Sequence, residues 1–207
     1  MKLIKQGICF TNRYIKENLL KYFLIVGIIF IVFGVVAFYG MKLLPEDVIS
    51  EMGKDIIELF DSKDVVNADG TLSFWGIFLN NLRAGVLISV VGLIPFLFVP
   101  IIYVIFNALI VSAIFAVVSL FTEENLFIMF IKYILPHGIF EVPALIIEGA
   151  IGAKLCAFIS RKIFRRAKEE KFVNHIKGFA GSFIFYVLPL LVIAAFIEAV
   201  VLSALYL

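Results

Sequence analysis

Between Ala84 and Phe121 the chain carries not one charged side chain. A hydrocarbon core about 30 Å thick is crossed by a helix of about 20 residues, so this run is too long for one crossing and about right for two. Pro95 and Pro100 bracket Phe96-Leu97-Phe98-Val99 near its middle. Lipid-exposed irregular backbone has nothing to bond to, so a tight hairpin at this point must pack against protein or lie at the interface. The run is expected to form a pair of membrane helices joined by a tight hairpin.

The remaining sequence extends the same pattern. Of its 207 residues 63% are hydrophobic and 16% charged, and the mean hydropathy is +1.10. That places the chain far from soluble domains and leaves room for about five crossings with little aqueous domain. The expected fold class is all-α: a polytopic membrane helical bundle forming one domain over residues 1–207. Cys9 and Cys156 stand far apart, so neither a CxxC redox pair nor a thiolate zinc site is formed by adjacent ligands. The basic residues flank apolar helices, where topology accounts for them, and no nucleic-acid partner is expected.

Flanking charge sets the expected orientation. Lys2, Lys5, Arg13, Lys16 and Lys21 against Glu17 precede a first apolar segment from about Tyr22 to Tyr39. After it, Lys42–Leu72 carries Glu46, Asp47, Glu51, Asp55, Glu58, Asp61, Asp64 and Asp69 against three lysines. The N-terminus is therefore expected in the cytoplasm, on an uncleaved helix rather than a secretory signal peptide, with residues 41–79 as an extracytoplasmic acidic loop. Val48, Met52, Ile56, Leu59 and Phe60 recur at helical spacing in that loop and predict a surface helix lying on the bundle. Asn67-Ala68-Asp69-Gly70 reads as the turn that ends it. Trp75 with Phe74 fits an aromatic belt, and Thr122-Glu123-Glu124-Asn125 falls outside again. Leu126–Ser160 then ends in the basic run Arg161-Lys162-Ile163-Phe164-Arg165-Arg166, which demands an odd number of crossings. A full helix over Val142–Arg161 meets that parity and leaves Leu126–Leu135 as a re-entrant or interfacial half-helix. A long tilted helix through Pro143 is the alternative. A last crossing, Phe179–Leu207, leaves the C-terminus outside, which gives a multi-pass protein of the cell membrane with about five transmembrane helices.

Ionisable groups inside apolar segments are expensive and mark functional positions. His137, Glu141 and Glu148 stand at i, i+4 and i+11, on one helix face if the helix continues through Pro143. They suit a proton, a cation, a partner's basic side chain, or simply an interhelical hydrogen bond. Asn107, in mid-membrane, needs a partner, for which the His137/Glu141 region is the nearest candidate. Asn80 or Asn81 reads as a helix cap or as a side chain that meets interfacial water, and Arg83 either snorkels outward or pairs with Glu141 or Glu123. These seven residues (Asn80, Asn81, Arg83, Asn107, His137, Glu141, Glu148) form the expected polar cluster. Glu198 in the last helix needs a hydrated or protein-lined site. Gly85, Gly92, Gly149, Gly152 and Ala153 are close-packing positions. One histidine beside one carboxylate is a weak metal signature, and His175 falls in the basic cytoplasmic loop, so no metal or cofactor is expected. No H-E-x-x-H, G-x-S-x-G or phosphate-loop motif occurs, and no catalytic residue is assigned.

Asn80-Asn81-x-Arg83, Gly92, Asn107, and above all Leu135-Pro136-His137-Gly138-x-x-Glu141-x-x-Ala144 followed by Glu148-Gly149-x-x-Gly152, resemble the stage II sporulation protein M family. Glu148 departs from it, standing where the family commonly has an apolar or small residue. In spore formers the family member localises two peptidoglycan-degrading partners, a lytic transglycosylase and an amidase/endopeptidase. The resemblance thus implies a non-enzymatic membrane scaffold for membrane or wall-associated partner proteins. The polar cluster keeps a second reading open, an ion-coupled transporter or channel for small solutes. Two polar faces on five short helices also suggest a homodimer, with membrane lipid around it.

Overall fold

A computed structural model of the chain describes residues 2–61, 67, 71–120, 125–164, 166 and 171–202. Lys2–Tyr14 (α1) passes through a wider π turn, Ile15–Leu19, into Leu20–Met41 (α2). Glu46–Asp61 (α3), Phe74–Val91 (α4) and Val99–Val118 (α5) follow. Leu126–Met129 (α6) continues through the π turn Phe130–Ile134 into Leu135–Ile163 (α7). Phe172–Ser182 (α8), the π turn Phe183–Val187, Leu188–Ile197 (α9) and the π turn Glu198–Leu202 complete the chain. Among the described residues there is no sheet, and five helices are long and apolar enough to cross a membrane.

The helix at the centre is α7. In its most apolar stretch 67% of residues are buried, against at most 28% in the other four spans. Its Ile151, Leu155 and Phe158 pack with Tyr14, Leu19 and Phe179, its Ile146 with Val26 and Val104, and its Ala144 with Val187 and Leu191. Against α4 the contact is backbone to backbone. A Cβ on Gly92 would overlap the carbonyl group of Gly152, and one on Gly152 would stand 2.5 Å from the Ile88 carbonyl oxygen. The contacts ascend together, Gly85 to Glu148 and Gly92 to Gly152, so α4 and α7 run parallel. That direction fits one intervening crossing, α5.

The hairpin between α4 and α5 is where the prolines place it, and it packs against protein. The Phe96 amide donates to Ser160 Oγ at 3.0 Å, and the Phe96 ring meets Phe164 edge to face. Phe96 and Phe98 have φ of 69° and 46°, left-handed conformations in which a bulky side chain is uncommon. The acidic segment forms its helix, α3, but the face it lays on the bundle is centred on Ile49 and Gly53. Ile49 packs with Phe38 and Ala116, whereas Val48 is exposed. The expected turn after α3 lies outside the described residues apart from Asn67, whose amide N–H bonds the Thr71 carbonyl at 2.8 Å. Thr122, Glu123, Glu124, Arg165 and residues 203–207 also lie outside them.

The first apolar segment, Tyr22–Tyr39, stands inside a longer helix that runs from Lys2 to Met41. Two expectations are corrected. The half-helix expected over Leu126–Leu135 is helical, but no turn sets it off from α7: Leu126–Ile163 is one helix, with right-handed helical backbone on both sides of Phe130–Ile134. A proline at the second position of a helix lacks an N–H that the preceding turn would otherwise have to satisfy, and a wider turn absorbs the mismatch. Pro189 follows Phe183–Val187 in the same relation. The last helix begins at Phe172 rather than Phe179, which takes His175 out of any loop. His175 is 4% exposed and Nδ1 lies 2.7 Å from the Tyr14 hydroxyl.

Candidate functional site

The α4–α7 seam carries the polar residues as well as the glycines. Asn81, one turn before Gly85, donates its side-chain amide to Glu141 Oε1 at 3.1 Å. Asn80 donates to Asn81 Oδ1 at 3.3 Å, which fixes the amide's sense. The other carboxylate oxygen, Oε2 of Glu141, faces His137 Nε2 at 4.0 Å, beyond hydrogen-bond reach. Across from both stands Glu198, at the start of the π turn Glu198–Leu202. One ligand-type atom from each of His137, Glu141 and Glu198 lies within 4.8 Å of the other two. Three helices therefore build the cluster: α4 through Asn81, α7 through His137 and Glu141, and the end of α9 through Glu198.

Glu148 lies farther along the seam. It is 2% exposed, its carboxylate fills the notch left by the missing side chain of Gly85, and Oε1 has no hydrogen-bond partner. His137 Nδ1 is likewise buried without a partner. Helix α7 thus stays helical through Pro143 and puts His137, Glu141 and Glu148 on one face, as their spacing predicts.

Asn107 does not join them. Its amide donates to the Tyr103 carbonyl at 2.9 Å, one turn back on its own helix, which satisfies a polar side chain in hydrocarbon without a second helix. Arg83 is exposed rather than inserted toward Glu141, whose two oxygens face Asn81 and His137. Neither asparagine caps α4: Ser73 does, its Oγ accepting from the Gly76 amide at 3.1 Å. Glu198 is the residue the sequence pattern left out of the cluster. A lone carboxylate deep in the last apolar run was the available signal, but periodicity within one helix does not say which other helix it meets. Lys154, 6% exposed on α7, is a second buried charge that the sequence reading passed over.

The stage II sporulation protein M family model matches residues 22–201, nearly the whole helical bundle. The chain belongs to that family. Stage II sporulation protein M members are non-enzymatic membrane proteins, and the five apolar spans found here accord with that description. The chain is also similar to an uncharacterized protein of Methanocaldococcus jannaschii, with 32% identity over 126 residues covering 61% of this chain and 68% of the relative. No solved structure matches the chain.

Proposed function

We propose that this stage II sporulation protein M family member is a membrane scaffold that holds a partner protein by one of the partner's apolar transmembrane helices. The observation that carries the reading is a groove of about 700 Å³ bounded by α2, α5 and the continuous α6–α7 helix. Among the described residues no charged side chain lines it, and Gly34, Ala108, Ser112 and Gly138 lie along it between aromatic walls. In lipid, helices associate by van der Waals packing, and small residues let backbones approach. Peptidoglycan-remodelling enzymes carried on a single apolar anchor have the chemistry this groove fits. Transport is the weaker reading, because a solute path needs a polar cavity at the midplane site. Among the described residues, His137, Glu141 and Glu198 line neither this groove nor two smaller cavities of about 370 and 230 Å³.

A photo-crosslinking side chain placed at Val35 or Phe127, in native membranes, tests the reading. Both positions line the groove and are exposed, whereas Ile193 on α9 is exposed elsewhere and serves as the control. The expected result is one discrete heterologous adduct from the groove positions and none from Ile193. An adduct at twice the chain mass would assign the groove to a second copy, and lipid adducts alone would return it to the bilayer. Either outcome overturns the proposal.

The scaffold is proposed to sit with its N-terminus in the cytoplasm, as the basic residues of α1 favour. Cys9 is exposed and Cys156 buried, so one thiol reports on sidedness. A membrane-impermeant maleimide is expected to label Cys9 only after the cells are opened. Labelling of intact cells would invert the arrangement.

A further inference from the structure

We propose that His137, Glu141 and Glu198 form a binding site for a single divalent transition ion, which staples the end of α9 to α7 and, through Asn81, to α4. The inference reaches beyond the scaffold reading and does not depend on it.

Geometry comes first. Three atoms that all lie within 4.8 Å of one another leave a point within about 2.8 Å of each, and Zn–N and Zn–O bonds are about 2.0–2.2 Å, so small side-chain rotations close the difference. The 4.0 Å gap between His137 Nε2 and Glu141 Oε2 is too long for a hydrogen bond, and it has to close to roughly 3.4 Å for the two to take adjacent tetrahedral positions on one ion with bonds of about 2.1 Å. Second, Glu141 is oriented as a metal-binding carboxylate is. Asn81 holds Oε1, Asn80 holds Asn81, and Oε2 is left to face the imidazole. Outer hydrogen bonds of this kind fix the direction of a ligand and tune its affinity.

Third, the ligand-type atoms come from separate parts of the chain, His137 and Glu141 from α7 and Glu198 from the π turn that follows α9, so a single ion held among them would tie those two elements together. One imidazole and two carboxylates suit zinc or manganese and leave further positions to water. Imidazole disfavours magnesium and calcium, and zinc outranks manganese in the general order of affinities.

The experiment uses the full chain in lipid nanodiscs, stripped with a chelator and titrated with zinc, manganese and magnesium, the bound metal being counted by mass spectrometry. One zinc ion per chain is expected, manganese weaker and magnesium absent, and zinc raises the melting temperature. His137→Gln and Glu198→Gln each lower zinc affinity by at least about a hundredfold, and Asn81→Ala by about tenfold or more, the range seen for outer-shell changes. Glu46→Gln, on α3, leaves affinity unchanged. Should the glutamine variants fail to fold, His137→Cys keeps a ligand and shifts preference from manganese toward cadmium. Failure of the stripped wild-type chain to take up stoichiometric zinc overturns the site. So does equal affinity in the wild type and folded ligand variants, or an unchanged metal preference in His137→Cys. The cluster would then be a proton-holding hydrogen-bond device.

Discussion

Gly92→Val is expected to abolish the folded bundle. A Cβ at this position overlaps the Gly152 carbonyl group and lies 2.7 Å from the Gly152 Cα, and all of these are backbone atoms of another helix. A side chain in the way can swing aside, but a helix backbone moves only as a unit. Relief therefore means pushing α4 off α7, which also separates Asn81 from Glu141 and draws Gly85 away from Glu148. Overpacking typically costs about 1–3 kcal/mol where local adjustment is possible. With no local adjustment available here, the upper end, about 3 kcal/mol or more, is the expected loss. Gly40→Val is the matched control, since nothing lies within 4 Å of a Cβ at that position. Reversible denaturation in bicelles should show Gly40→Val near the wild type and Gly92→Val without a cooperative transition. Equal stability of the two variants would mean that the α4–α7 seam is not formed.

The second large effect is local. Gly178→Val is expected to detach α1 while the other helices remain packed. A Cβ on Gly178 would stand only 2.4 Å from ring atoms of Tyr14, and one on Gly181 would collide with Thr11 Oγ1. Tyr14 cannot readily turn away, because it is 5% exposed, lies near Phe179 with rings 5.8 Å apart, and is held by the bond to His175. Farther along, Gly7 faces the Phe185 ring at 3.3 Å, so the antiparallel α1–α8 contact rests on a glycine at each end. Limited proteolysis at Lys2 and Lys5 should accelerate by about a hundredfold, which corresponds to about 2.7 kcal/mol of lost docking. Cleavage at the exposed Lys54 on α3 should stay unchanged. Acceleration at both places would indicate that α1 is part of the global folding unit.

Spans were legible because their signal is local: twenty apolar residues announce a crossing whatever they touch. The α4–α5 hairpin, the amphipathic α3 and the shared face of His137, Glu141 and Glu148 followed from spacing within one segment. Partners across segments did not. Asn107 and Glu198 are each a lone polar residue in an apolar run, yet one closes on its own helix and the other meets His137 and Glu141. Rotation of one helix relative to another decides this, and rotation is set by contacts such as Gly85 with Glu148 that no single-helix period contains. Prolines misled in a definite way. The half-helix expected over Leu126–Leu135 stops where Pro136 begins, whereas a wider turn just before that proline lets the helix continue from Leu126 to Ile163.

The burial of α7 has a consequence for the order of events during synthesis. Helices α2, α4 and α5 enter the membrane before the helix they surround exists. Through that interval Asn81 lacks Glu141, Gly85 and Gly92 face lipid, and Val26 and Val104 lack Ile146. Helix α7 in turn brings His137, Glu141, Glu148 and Lys154 into hydrocarbon together, a load that an isolated segment bears poorly. Its insertion is thus favoured by a cradle already in place, and a ribosome that stalls before residue 163 leaves behind a set of helices with an open centre. Membrane quality control would find its target there, in the truncated chain whose glycines and asparagines still wait for their counterpart.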